Sequence, residues 1–334
     1  MTKKAFTPER LWQLKRLSDP SLSPDGKRVL ITVKEWGEND EGFSSELWQV
    51  ERSSGEKSCL VKEGFASHGR FSPDGKRIAF LYKKDRDSSA QINLVDVSSG
   101  SRDALSDYAH AISSFKWTAD SKAIIFTSTI ISNNSLRDQR KVADLRKKRK
   151  TKVRTYEKPI TKFWDHWLDE DEQSTLLRID IDSKKLINLL EGSGYELSPF
   201  TMELATSYDS APDSESFAFE AYVITENNYR TDLIYYSATT KSFANLTADS
   251  PGMDSSPSFA PDGRLLFLQT RMPGFYADKK RSMLYDPKSK QINQLFEEFD
   301  RSVETAIWHP DGSRFYAAID DRAHLRIYEF DIEN

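Results

Sequence analysis

A single cysteine, Cys59, in a chain of 334 residues excludes an internal disulfide and suits a reducing compartment. Its side chain reads as a small buried hydrophobe. The five histidines are scattered with no second ligand at metal spacing, so no metal site is expected. There is no glycine-rich phosphate loop, and no cofactor is indicated. The Gly-x-Ser-x-Gly elbow of a serine hydrolase is also missing: Gly64-Phe65-Ala66-Ser67-His68-Gly69 and Gly192-Ser193-Gly194 both fail the spacing. No apolar run approaches the roughly 18 residues of a membrane span. The opening Met1-Thr2-Lys3-Lys4-Ala5-Phe6 lacks the apolar core of a secretory signal. A cytoplasmic protein is the expectation. Charge of one sign is lacking too: 48 basic against 52 acidic residues give a net −4, with no overall pull toward nucleic acid or an anionic membrane.

What is present is a repeat. In Arg70-Phe71-Ser72-Pro73-Asp74-Gly75-Lys76-Arg77-Ile78-Ala79-Phe80-Leu81-Tyr82, Pro presets φ, Asp can bond its own backbone and Gly accepts a positive φ. The alternation of Ile78, Phe80 and Tyr82 with their neighbours is that of a strand. Near copies surround Pro24, Pro261 and Pro310, and weaker ones surround Ala119 and Pro212. The steps between these positions are 49, 46, 93, 49 and 49 residues in chain order. A strand-rich period of this size predicts an all-β propeller of four-stranded blades, about six of them, the last incomplete.

Residues 7–17 read as a short helix, with Thr7 as cap, Pro8 at the first helical position and Leu11, Leu14 and Leu17 on one face. This gives an N-terminal arm over 1–18 and a propeller over 19–334. The long step in the third blade is followed by one third-strand signature, Leu176-Leu177-Arg178-Ile179-Asp180-Ile181, so it predicts one blade carrying an insertion at about 131–170. Within it, 136–154 holds ten basic residues against Asp138 and Asp144 and reads as a charged, solvated helix. A nucleic-acid arm would need interleaved aromatics, which are absent.

The insertion closes on Phe163-Trp164-Asp165-His166-Trp167-Leu168-Asp169-Glu170, an unusual density of aromatic and acidic side chains. Such a loop on a rigid scaffold suits recognition, although two tryptophans could equally pin the insertion to the ring. The fifth blade carries Arg271-Met272-Pro273-Gly274-Phe275-Tyr276-Ala277-Asp278 between its second and third strands. The candidate substrate-binding residues are Trp164, Asp165, Trp167, Glu170, Arg271 and Phe275.

The repeat units, the opening Phe6-Thr7-Pro8-Glu9-Arg10-Leu11-Trp12, the Trp164-Asp165-His166-Trp167-Leu168-Asp169 motif, Arg271-Met272-Pro273-Gly274-Phe275 and Phe299-Asp300-Arg301-Ser302-Val303 together resemble the prolyl oligopeptidase family. The nearest branch is that of acylaminoacyl-peptidases and dipeptidyl-peptidase-five-like enzymes. Pro-Asp-Gly blades are shared with TolB-like propellers; the other motifs are more specific. The resemblance implies an N-terminal propeller that filters peptides for a C-terminal α/β-hydrolase domain, with the early helix packed on that domain. The hydrolase, with its Ser, Asp and His, and the last blade are not in this sequence, so the chain is expected to be a fragment or truncated product without peptidase activity of its own. The expected partners are a peptide substrate and that hydrolase domain, with no nucleic acid or membrane. The alternative is a standalone TolB-like propeller serving as a protein-interaction platform.

Overall fold

The computed structural model describes residues 7–36, 42–151, 153–157, 161–163, 166–169, 171–198, 204–224 and 229–332. It is almost wholly β, and its strands fall into the blades expected from the repeat. Two compact units result, one of residues Met1–Ile112 with Ile181–Lys184, the other of Ser113–Asp180 with Lys185–Asn334.

The first unit opens with α1 (Pro8–Trp12). It continues with β1 (Arg16–Leu22), β2 (Arg28–Trp36), β3 (Phe43–Glu51) and β4 (Lys57–Val61), then β5 (Phe65–Phe71), β6 (Arg77–Lys83), β7 (Gln91–Asp96) and β8 (Arg102–Ala104). These are two antiparallel blades, joined where Ser45 pairs with Phe65 in parallel. The expected helix is shorter than residues 7–17: Arg16 and Leu17 belong to β1, paired with Lys34 and Val33. A helix of this length is marginal by itself, whereas the strand ladder gains a backbone bond per residue. The ring of Trp12, the last residue of α1, lies 4.7 Å from that of Trp36, and the Arg16 guanidinium caps Phe43 at 4.5 Å.

The second unit begins with β9 (Ser114–Trp117) and β10 (Ala123–Ile131), then the insertion with α2 (Gln139–Lys147), β11 (Lys162–Phe163) and β12 (His166–Trp167). β13 (Glu172–Asp180) and β14 (Leu186–Asn188) complete that blade. One blade with an insertion is therefore what the structure holds, β10 pairing with β13 from Ala123–Asp180 to Ile131–Glu172. The fourth blade is β15 (Tyr208–Ser210), β16 (Phe217–Ile224), β17 (Tyr229–Ser237) and β18 (Ser242–Asn245). The fifth is β19 (Asp254–Phe259), β20 (Leu265–Gln269), β21 (Arg281–Asp286) and β22 (Gln291–Gln294). β23 (Thr305–Trp308), β24 (Arg314–Asp321) and β25 (His324–Asp331) make a sixth sheet of three strands among the described residues.

The turns form as their sequence dictates. In the second blade the Ser72 hydroxyl donates to Asp74 Oδ1 at 2.6 Å, Lys76 N–H donates to the same oxygen, and Gly75 takes φ 71°. The carboxylate is used by its own turn, and these bonds hold it below its ordinary pKa. Behind the turns, both faces of the middle strands are buried. In β16, Phe217, Phe219 and Ala221 pack toward the third blade with Ile125 and Leu176, while Ala218 packs toward the fifth. In β20, Leu265 and Phe267 meet Leu233, and Leu266 and Leu268 meet Phe315 and Ile319 of the sixth blade. Hydrophobic runs such as Leu265-Leu266-Phe267-Leu268 thus reflect burial on two sides.

The charged insertion helix is also shorter than 136–154: α2 covers Gln139–Lys147 and stops where Lys148, Arg149 and Lys150 would crowd like charges onto successive turns. Its anchor is Gln139. This fully buried side chain accepts from Ile131 N–H at 2.8 Å and donates to the carbonyls of Ile131 and Asn134. Arg146 extends the attachment by pairing with Asp171 and Glu172.

Candidate functional site

The first strands of blades four to six, β15, β19 and β23, lie side by side in the second unit. At the position five before the turn proline (Ala119 in the third repeat), the six repeats carry Asp19, His68, Ser114, Ser207, Ser256 and Thr305, all polar or hydroxylated. At three of these the backbone adopts the left-handed region: Asp19 at φ 55°, His68 at 56° and Ser256 at 55°. Each coincides with a register shift in its first strand, a β-bulge. A bulge releases backbone groups from the ladder and turns side chains aside. At Ser256 the released N–H donates to Glu220 Oε1 at 2.8 Å.

Beside this bulge opens a cavity of about 450 Å³. One wall is hydroxylic, from Ser198, Thr206, Thr231, Ser255, Ser256 and Thr270, with the buried Glu220 among them. A second side carries Lys280 and Glu304, whose Nζ and Oε2 are 2.6 Å apart. The mouth is apolar, formed by Met272, Phe275 and Tyr276, which are 54%, 50% and 70% exposed.

These three side chains belong to the 271–278 loop, which is held in a fixed shape. The Asp278 carboxylate accepts the N–H groups of Arg271 and Met272 and the guanidinium of Arg281. Burial pushes its pKa up, but those donors outweigh burial and bring it to about 2. Gly274 supplies φ 66°, Phe275 N–H returns to the Met272 carbonyl, and Asp278 N–H returns to that of Phe275. The Tyr276 hydroxyl meets that of Tyr229 across the opening. Large apolar groups held rigidly in water are costly to maintain and pre-organised to bind.

Of the residues singled out from the sequence, Phe275 lines this cavity. Arg271 turns its guanidinium away, donating to Gln294 Oε1 at 2.6 Å. Trp167 is on β12 of the insertion and is not among the cavity's lining residues. It stacks on Tyr156 (ring centres 5.8 Å, planes 23° apart), with Lys162 Nζ 4.7 Å from its ring centre and the Arg154 guanidinium 5.6 Å from it. Trp164, Asp165 and Glu170 lie outside the described residues. Sequence reading missed Glu220, Thr231, Lys280 and Glu304, which are far apart in the chain. One signal could have found the site, namely the polar residue five before the turn-proline position of each repeat.

No protein-family model matches the chain. It is 25% identical over 340 residues to a dipeptidyl-peptidase 5 of Porphyromonas gingivalis, covering 98% of this chain and 48% of that protein. In fold it matches the acylaminoacyl peptidase of Pyrococcus horikoshii with a TM-score of 0.69 at 15% identity, over 96% of this chain and 46% of that one. It also matches the β-propeller domain of the Trilobed protease from Pyrococcus furiosus, with a TM-score of 0.63 at 15% identity and coverage of 96% and 82%. The chain is thus a β-propeller related to the N-terminal part of these peptidases, and the resemblance to the prolyl oligopeptidase family is borne out. It spans about half the length of the curated relatives it matches. Among the described residues no helix is long and apolar enough to cross a membrane.

Proposed function

We propose that this propeller positions peptides for a serine exopeptidase of the prolyl oligopeptidase type, with the bond broken by an α/β-hydrolase domain outside the 334 residues. The observation that carries the reading is the cavity at Ser256: a hydroxylic wall to bond a peptide backbone, an ion pair at one side and a rigid apolar mouth. The relatives' peptidase names support it. The exposed Leu11, Trp12 and Leu14 on and just after α1 supply an apolar patch on which the hydrolase domain would dock. In the insertion, Asp165 and Glu170 are the proposed carboxylates for a peptide's free ammonium group, with Trp164 and Trp167 as aromatic walls. Phe275 contributes from the fifth-blade loop, where the Arg271 guanidinium is engaged with Gln294 Oε1.

Two results are expected. The purified 334-residue chain does not turn over chromogenic peptides, because its sequence lacks the Gly-x-Ser-x-Gly elbow that would carry the nucleophile. Serine-phosphonate-sensitive turnover by the pure chain would contradict this. Joined to its hydrolase domain, Asp165→Ala and Glu170→Ala each lose about 1.5–3 kcal/mol in kcat/KM on peptides with a free amino terminus, the worth of a charge-assisted hydrogen bond, and little on N-blocked ones. Equal losses on both substrate types would assign the loop to packing. A chain that binds no peptide, yet captures a folded protein partner, would favour the interaction-platform reading.

A further inference from the structure

We propose that Asp254, buried near the charged Asp232, is held as a neutral carboxyl and makes a pH-sensitive seam between the fourth and fifth blades directly behind the cavity wall.

The geometry begins with two buried acids on neighbouring strands. Asp254 opens β19 with no exposed surface, and Asp232, on β17, is 1% exposed. Both are shut away from water, so each charge needs a partner. Asp232 takes nearly all that the seam provides: Arg230 Nε donates to Oδ1 at 2.8 Å, and its NH2 group and the Asn245 amide donate to Oδ2. Arg230 is otherwise committed to the carbonyls of Ala248 and Ser250. Among the described residues Asp254 has one hydrogen-bond donor, Gln269 Nε2 at 2.8 Å to Oδ1, and its Oδ2 is buried without a hydrogen-bond partner. The Ser250 and Thr247 hydroxyls lie near enough to ease the charge but do not reach hydrogen-bond geometry with Oδ2. One guanidinium between two buried carboxylates leaves one negative charge uncompensated, and a proton on Asp254 removes it. Burial, reinforced by the charge of Asp232, pushes the Asp254 carboxyl up to about 6.

The other charged groups on the surrounding elements are already engaged. On β16, Glu220 holds the N–H of Ser256. On β15, Asp209 pairs with Lys116 of β9, and on β21 Arg281 pairs with Asp278. Beside β23, Glu304 pairs with Lys280; Asp249, between β18 and β19, is exposed. Among the described residues none of these offers Asp254 a second positive charge.

The seam bears on the cavity through three neighbours. Met253 and Ser255 flank Asp254 in the chain and line the cavity, and Thr231, beside Asp232, lines it too. The Thr231 hydroxyl donates to the main-chain carbonyl of Asp254 at 2.9 Å. Charging Asp254 therefore strains the strand contact that sets this wall.

The sign follows from linkage. A carboxyl whose folded pKa is raised contributes stability that is complete below its unfolded pKa, about 3.9, and is lost as pH rises through about 6. The test measures urea midpoints of the 334-residue chain and of Asp254→Asn from pH 4 to 7.5, and takes the difference. That difference cancels the many exposed carboxylates common to both. Expected is a gap in favour of Asp254→Asn that widens from pH 4 to 7. A constant gap would overturn the proposal. Because the amide could pack poorly, a second measurement uses the unaltered chain: a carbon-13 NMR titration of the aspartate carboxyl carbons, with Asp254 assigned by substitution. Its midpoint should fall near 6 and move down in Asp232→Asn. A midpoint in the ordinary carboxylate range, or one indifferent to Asp232, would overturn it equally.

Discussion

Replacing Phe267 by alanine should destabilise the second unit by about 3–5 kcal/mol, the usual cost of emptying a buried phenylalanine site. Phe267 has no exposed surface and stands in the middle of β20. Its ring packs among Ala218 and Leu233 of the fourth blade and Met283 and Tyr285 of its own. Two sheets contribute to that cluster, and each is braced on its other face, by Phe217 and Phe219 on one side and Phe315 on the other. The backbone therefore cannot easily collapse into the space, which puts the loss toward the upper end. Urea unfolding followed by circular dichroism measures it. Leu325→Ala is the control: at 69% exposure on β25 it should change stability by no more than about 0.5 kcal/mol. Similar losses from both would mean that burial between blades is not what holds the unit together.

Asp209→Ala should cost about 2–3 kcal/mol by a different route. Asp209 ties three blades at once. Its Oδ1 receives Lys116 Nζ from β9 at 3.0 Å, and its Oδ2 receives the Phe259 N–H from β19 at 2.8 Å. Lys116 also donates to the Tyr208 carbonyl at 2.6 Å. Alanine strands an amide and a partly buried ammonium together, and leaving donors unpaired costs more than the bonds contribute net. The pair is not fully shielded from water, so the figure stays below that of a buried ion pair. Asp209→Asn keeps an acceptor for Phe259 N–H and should lose roughly half as much. A double-mutant cycle with Lys116→Met checks the assignment, with a coupling of about 1 kcal/mol expected and none if the residues act separately.

Much of this molecule was legible residue by residue because its information is local. A Ser-Pro-Asp-Gly turn closes with bonds among residues at most five apart, as at Ser72, Asp74 and Arg77, so each hairpin is written in its own stretch of sequence. Alternation and runs of apolar residues mark the strands, and the 93-residue step alone places the insertion between β10 and β13. The helices were legible in position but not in length. The end of α1 is decided by the pairing of Arg16 with Lys34, and α2 is held by Gln139, whose single polar side chain no periodicity marks.

The candidate site was harder to see for the same physical reason. Phe275 is legible because its motif, Arg271-Met272-Pro273-Gly274-Phe275, resembles that of the peptidase family. Glu220, Thr231, Ser256 and Lys280 each look like ordinary polar residues of a strand or loop, and they become a site only where blade packing brings first strands together. A bulge such as that at Ser256 is marked in the sequence only by a polar residue five before the turn, since serine at φ 55° is tolerated only when surrounding bonds impose it. The same holds for Asp254. Its sequence neighbours gave no hint of an unusual carboxyl, because burial and the company of Asp232 belong to the packed sheets. The chain by itself determined hairpins, strands and their repetition, which depend on near neighbours. Tertiary structure alone decided which polar groups lost water and which of them found partners.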